Sequence, residues 1–136
     1  MQNLMSVCVA DVATPRIAFN AWSTESRRYY FQDRVRFNKV LYNQGDGFDA
    51  DNGVFTAPVT GTYFFVFRTE WDGSDHSTMV ANGQDVCFAS FRKVCQAVVH
   101  LVAGNKVLVR APGEFRTRSQ HQVTSFAGFL LSDDSL

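Results

Sequence analysis

Three small groups of residues carry the side chains from which chemistry could be built. Asp72, Asp75 and His76 fall close together in one polar, glycine-bearing stretch. Two carboxylates and an imidazole so placed offer ligands to a divalent ion or hydrogen-bond partners to sugar hydroxyls, although the ordinary state of such a stretch is a solvated turn. The second group is cationic: Arg110, Arg116, Arg118 and His121, with Arg92 and Lys93 as possible neighbours. Cations on exposed connections can hold an anion or simply keep a surface hydrated. The third is Cys8, Cys87 and Cys95, which lack metal-ligand spacing. A Cys87–Cys95 disulfide forms if the intervening segment folds back; buried free thiols are the alternative, and Cys8 is then a leftover thiol in a terminal segment.

Catalytic patterns are missing from the chain. It holds no glycine-rich phosphate loop, no zinc spacing and no nucleophile elbow. His76, His100 and His121 lie far apart, and His100 falls inside an apolar strand as a hydrogen-bonded core or interface residue. Its five-residue offset from Cys95 puts the two on opposite faces of a strand, so no nucleophile–base pair can be drawn. The expectation is a protein that is not an enzyme. Residues 43–53 hold three Gly, three Asp and two Asn, a turn composition whose spacing does not match a helix-flanked calcium loop.

Composition narrows the partners. With 13 Lys+Arg against 13 Asp+Glu, no net field draws the chain to nucleic acid or to an anionic membrane. No apolar run is long enough to span a bilayer, and residues 4–10 lack the basic leader of a signal peptide. At 136 residues the chain is long enough for one domain with its own core.

The elements that must position these groups are strands. Tyr63, Phe64, Phe65, Val66 and Phe67 form an unbroken aromatic and β-branched run that needs cover on both faces, at the centre of a sandwich or at a subunit interface. Pro58 and Gly61 mark the bend that leads into it. Alternation predicts further strands over residues 16–22 and 35–42, the latter with Val35 and Phe37 inward, and a closing strand over 123–131. Asn82-Gly83 predicts a type I′ hairpin between residues 77–81 and 84–91, and a second hairpin is expected between 97–102 and 107–110. Residues 1–15 read as a tail or edge segment and 16–136 as the domain. Short strands at this spacing mean an all-β sandwich or jelly roll.

Several motifs are specific enough to carry a resemblance. Ile17-Ala18-Phe19-Asn20-Ala21, then residues 35–43 and Phe48-Asp49, resemble the opening strands of the globular-head domain of complement C1q. Residues 53–65, from Gly53-Val54-Phe55-Thr56 through Gly61-Thr62-Tyr63-Phe64-Phe65, look like that family's central motif. Residues 101–107 match its late hairpin, with Asn105 where Asp is usual, and residues 125–131 match its closing strand, with Ala127 where Ser or Thr is common.

The resemblance implies a ten-stranded jelly-roll sandwich of the C1q/tumour necrosis factor type, assembled as a homotrimer. It implies a secreted recognition protein of innate immunity that binds microbial or self surface glycans, or anionic surface ligands, through exposed loops. The alternative is a trimeric protein ligand for a cell-surface receptor or a matrix assembly factor. Asp72, Asp75, His76, Arg92, Lys93, Arg116, Arg118 and His121 are the expected ligand-binding residues. Phe19, Phe37, Phe55, Tyr63, Phe65, Phe67, Phe126 and Phe129 are expected in the core or the trimer interface. The run 86–93, where family members place calcium ligands, holds no carboxylate, so no cofactor is expected and a metal, if any, would use Asp72 and Asp75.

Overall fold

The computed structural model describes residues 15–24, 28–30, 33–68, 77–89, 94–111, 115–116 and 124–134. Among them, the strands in chain order are β1 (Ala18–Ser23), β2 (Arg28–Tyr29), β3 (Lys39–Gln44), β4 (Phe48–Asp49), β5 (Val54–Thr56) and β6 (Gly61–Arg68). β7 (Ser77–Ala81), β8 (Gln84–Ala89), β9 (Val94–Leu101), β10 (Lys106–Arg110), β11 (Phe115–Arg116) and β12 (Thr124–Asp133) follow. The described residues include no helix.

Side-chain alternation decides how these strands stack. In β6 every second residue, Gly61, Tyr63, Phe65 and Phe67, is buried, while Thr62, Phe64 and Val66 on the other face are half-buried. β1 buries Phe19, Ala21 and Ser23 in the same period, and β12 buries Thr124, Phe126 and Gly128. The strands make two five-stranded sheets, β3-β1-β12-β6-β9 and β4-β5-β10-β7-β8, with β2 and β11 as a separate two-stranded piece. The result is the ten-stranded jelly-roll sandwich. Ten strands with two-sided patterning bury one aromatic core between the sheets.

Rings fill that core. Phe19 has ring centroids 4.8 Å from Phe48, 5.0 Å from Phe55 and 5.0 Å from Phe126. Phe55 meets Tyr63 at 5.6 Å and Phe65 at 5.4 Å, both edge-on. Beyond their burial, such contacts contribute roughly 0.5–1.5 kcal/mol each. The Tyr63 hydroxyl donates to Val59 O at 2.7 Å, which ties the bend after Pro58 to the strand it leads into, and burial raises the pKa of the phenol. Of the eight aromatics expected in the core or interface, Phe19, Phe37, Phe55, Tyr63, Phe65, Phe67 and Phe126 are buried, whereas Phe129 is exposed on the outer face of β12.

Three sequence expectations change. Residues 35–42 are not one strand: Val35 N bonds to Val109 O in the second sheet, while Lys39–Gln44 pairs with β1 in the first. The chain crosses between sheets there, keeping Val35 and Phe37 fully buried on the way. Residues 97–102 and 107–110 do not form a hairpin. β9 pairs with β6 in one sheet and β10 with β5 and β7 in the other. The turn between them bonds to Ala57 instead of closing a ladder, with Gly104 N to Ala57 O at 2.8 Å and Ala57 N to Asn105 O at 2.9 Å. Finally, the glycine-rich stretch after β3 contains β4, whose Phe48 is buried in the ring cluster. The Asn82-Gly83 hairpin forms as expected, with φ of 50° and 79°.

At one edge of the sandwich Cys87 of β8 and Cys95 of β9 form a disulfide with a Cα–Cα distance of 5.9 Å. It joins the edge strands of the two sheets.

Two outcomes follow for stability. Gly128 has no room for a side chain: a Cβ there would press on Phe65 Cδ1 and lie 2.8 Å from Phe65 Cε1 and 2.9 Å from Phe19 Cε1. Gly128→Ala should therefore lower unfolding stability by about 1–3 kcal/mol in urea titration; an unchanged midpoint would contradict the close packing. Cys87→Ser/Cys95→Ser should lose about 2.5 kcal/mol, the loop-closure term for a link this short. Wild-type protein titrated in reductant should show the same fall in midpoint, and a midpoint indifferent to reductant would refute the bond.

Candidate functional site

The first sheet leaves an apolar face toward solvent. Cross-strand register places Val98, Phe64, Phe129 and Ala18 in one row, with Gln96, Val66, Ala127 and Asn20 in the next. Phe64 and Phe129 pack with ring centroids 5.5 Å apart. Val98 is 63% exposed, Phe129 43% and Leu131 51%, so these side chains stand largely in water in the single chain. Edge strand β3 adds Tyr42, exposed and in register with Asn20 of the second row. Apolar side chains grouped in this way mark a contact surface rather than scattered exposure. The signal was present in the sequence as the second face of the 63–67 run; what alternation could not show is that this face, unlike its opposite, stays uncovered.

The ends of that face are polar. His100 Nε2 and Asp134 Oδ2 lie 2.7 Å apart, both about half exposed, at the β9 end of the row through Thr62. His100 is thus a surface residue of the sheet and not a core histidine. Its outward direction, against the buried Cys95 on the same strand, matches the opposite faces that their spacing requires. At the opposite end, Lys39 Nζ sits 5.8 Å from the Trp22 ring centroid.

Topology brings the roots of the sequence-selected segments to one end of the sandwich. Arg68, the last residue of β6, is paired with Val94 at the start of β9 and with Ser125 near the start of β12. In the second sheet Ser77 is paired with Ala89, and Thr78 with Arg110. The segments 69–76, 90–93 and 112–123 therefore all leave and re-enter at this end. Asp72, Asp75, His76, Arg92, Lys93, Arg118 and His121 themselves lie outside the described residues. Arg116 is placed by its backbone alone, opposite Arg28. Among the described residues no group of three or more His, Cys, Asp or Glu is arranged to hold a metal ion.

Elsewhere the polar side chains serve turns. Asp49 accepts from Asn52 Nδ2 at 2.8 Å and from Asp51 N at 3.0 Å. The Asn52 hydrogen bond is the leading cause of a lowered Asp49 pKa, with Arg34 a minor one. Asn43 both donates to Phe48 O and accepts from Phe48 N, holding the turn before β4.

Comparison with known proteins agrees with this architecture. A family profile described as the C1q domain matches residues 18–131. Human complement C1q and tumor necrosis factor-related protein 9A is 27% identical over 130 residues, covering 86% of this chain and 39% of that protein. Rat complement C1q tumor necrosis factor-related protein 5 is 40% identical over 79 residues, covering 57% of this chain and 32% of that protein. The chain thus spans only about a third to two fifths of the length of these relatives. Among solved structures, the globular domain of zebrafish complement 1qA protein superposes with a TM-score of 0.71 at 25% identity, covering 88% of this chain and 99% of that one. The profile spans most of the chain, and it follows the same strands that build the sandwich: this chain belongs to the C1q-domain family.

Proposed function

We propose that the chain is a non-enzymatic, extracellular recognition module that works as a homotrimer, each copy covering the outward face of the first sheet of a neighbour. The observation that carries this is the apolar patch in which exposed Val98 and Phe129 stand beside half-buried Phe64 and Val66 in the single chain. A fully buried Val or Phe contributes about 1.5–3 kcal/mol relative to leaving it in water, so a few such side chains from each copy supply a stable contact. The Cys87–Cys95 bond supports an oxidising compartment outside the cell. The absence of an enzyme is supported by chemistry: both described cysteines are joined to each other, and His100 is engaged by Asp134.

In this reading the segments rooted at one end of each sandwich face ligand together. Three weak sites held on one rigid body give avidity, which suits microbial or self surface glycans and anionic surface polymers. A second reading has the same trimer engage a receptor or matrix protein. It is favoured by the relatives, whose names place them among C1q/tumor necrosis factor-related proteins.

Light scattering should give three times the chain mass for the wild type. Val98→Glu with Phe129→Glu should shift it to the chain mass without loss of strand signal in circular dichroism. A wild-type monomer would end the proposal. On a glycan array, binding that free sugar competes away and that alanine at Asp72, Asp75, His76, Arg116, Arg118 and His121 abolishes is the expected result. Saturable, sugar-insensitive binding to one protein instead establishes the second reading.

A further inference from the structure

Asparagine followed by glycine is open to one uncatalysed reaction, and this chain holds the dipeptide twice, at Asn52-Gly53 and Asn82-Gly83. The glycine nitrogen, once it loses its proton, attacks the side-chain amide carbon Cγ of the asparagine. Ammonia leaves and a cyclic imide remains; water then opens either of its two carbonyls. One opening gives aspartate. The other gives isoaspartate, in which the main chain runs through the former side-chain carbon. Glycine favours the reaction because it has no Cβ to hinder the approach and turns freely about its backbone bonds. In residue order the two sites are equivalent; in the fold they are not.

At the first site the groups that must move are held. Gly53 N donates to Asp49 O at 2.8 Å, so the attacking nitrogen is already committed to a backbone hydrogen bond. Asn52 Nδ2 donates to Asp49 Oδ2 at 2.8 Å, which keeps the amide turned toward the same residue. Ring closure rotates the Cα–C bond of the asparagine and swings the peptide plane that follows. Gly53 is buried, and a Cβ built on it would press on Val35 O and lie 3.3 Å from Arg36 Cα, so close packing resists that swing. Arg34 Nη2 does stand 3.4 Å from Asn52 Oδ1, but a donor on the amide oxygen is of no use while the nucleophile is tied down.

The second site has the opposite surroundings. Asn82 and Gly83 are both exposed at the tip of the β7–β8 hairpin, and a Cβ built on Gly83 would meet nothing within 4 Å. Among the described residues Gly83 N has no backbone acceptor, whereas Asn82 N is anchored by a 2.8 Å hydrogen bond to Lys106 O. The glycine can therefore swing while the asparagine stays in place. The asparagine side chain is held as well. Asn105 Oδ1 accepts from Val102 N at 2.8 Å, which turns the amino group of that amide the other way, where it donates to Asn82 Oδ1 at 3.2 Å. A donor on this oxygen draws electrons from Cγ and stabilises the negative charge that gathers there as the nitrogen adds.

We propose that Asn82 is a site of spontaneous deamidation in the folded protein, promoted by Asn105, while the fold protects Asn52. The product matters to the second sheet. The two-residue turn sets the register in which Ala81 faces Gln84, and isoaspartate lengthens the main chain within that turn. The tip then no longer satisfies both that register and the Asn82–Lys106 bond, and the link between the hairpin and the turn before β10 opens. Aspartate, in contrast, keeps the main chain and presents a carboxylate to the Asn105 amino group, a stronger acceptor than the amide it replaces. The hairpin belongs to the second sheet, so the change leaves the outward face of the first sheet as it is.

The test incubates the purified full chain at mildly alkaline pH, where the glycine nitrogen loses its proton more readily, and follows both Asn-Gly peptides by mass spectrometry after digestion. The Asn82 peptide should gain the mass of amide-to-acid conversion and yield isoaspartate, detected by its separate elution and by an isoaspartyl methyltransferase. The Asn52 peptide should convert at least about tenfold more slowly, because its reaction waits on local opening. In guanidinium chloride the two should convert at similar rates, since only the fold separates them. Asn105→Asp keeps the acceptor for Val102 N and removes the donor to Asn82, and should slow conversion at Asn82 by about threefold to tenfold with Asn52 unchanged. Isoaspartate-rich wild type should melt lower than fresh protein. Asn82→Gly retains a type I′ turn and has no amide to lose, so its melting temperature should hold through the same incubation. Equal conversion of Asn52 and Asn82 in the folded chain, or conversion of neither, would overturn the site. An Asn105→Asp rate equal to that of the wild type would remove Asn105 from it, and isoaspartate-rich protein that melts like fresh protein would overturn the effect on the sheet.

Discussion

The structure depends on Phe19 being surrounded. Its ring lies against Phe48, Phe55, Phe65 and Phe126, drawn from four different strands in both sheets. No single ladder fixes how two sheets sit on one another, because backbone hydrogen bonds run within a sheet. Interlocking rings do fix it, since each accepts only a few stacked or edge-on neighbours. Gly128 belongs to the same constraint. It pairs with Phe19 on one side and Phe65 on the other, and its missing side chain is what lets both rings close over β12.

Much of this was legible in residue order, and the reasons it was legible are local. Strand β6 announces itself by five consecutive aromatic or β-branched residues, and Asn82-Gly83 by backbone angles that few other pairs adopt. What could not be read is which sheet a strand joins. Residues 35–42 alternate perfectly well as one strand, yet their backbone partners lie in different sheets on either side of the crossing. Residues 97–110 look like a hairpin for the same reason: Leu101 and Val107 both point into the core, but from opposite sides of it. Period-2 patterning reports facing and is silent about partners. Phe48 was hidden by its neighbours, because glycine and aspartate on both sides read as turn although the ring is buried.

The candidate site divides in the same way. The residue types at 72–76, 92–93 and 116–121 could be picked from the sequence, and strand pairing then roots their segments at one end. Arg110 could be picked as a cation, but its backbone bridge to residue 34 could not. Arg34 and Arg110 are 76 positions apart, and nothing in either neighbourhood points to the other. Only the antiparallel register makes them a pair.

A sandwich has two outer faces, and this one treats them differently. The first sheet exposes Val98 and Phe129 beside half-buried Phe64, side chains whose transfer out of water is favourable whatever apolar surface covers them. The crossing beside the second sheet exposes Arg34 and Arg36, charged side chains whose desolvation is costly. The apolar face therefore suits lasting contact with another apolar surface, whereas the charged side chains are at ease in salt water.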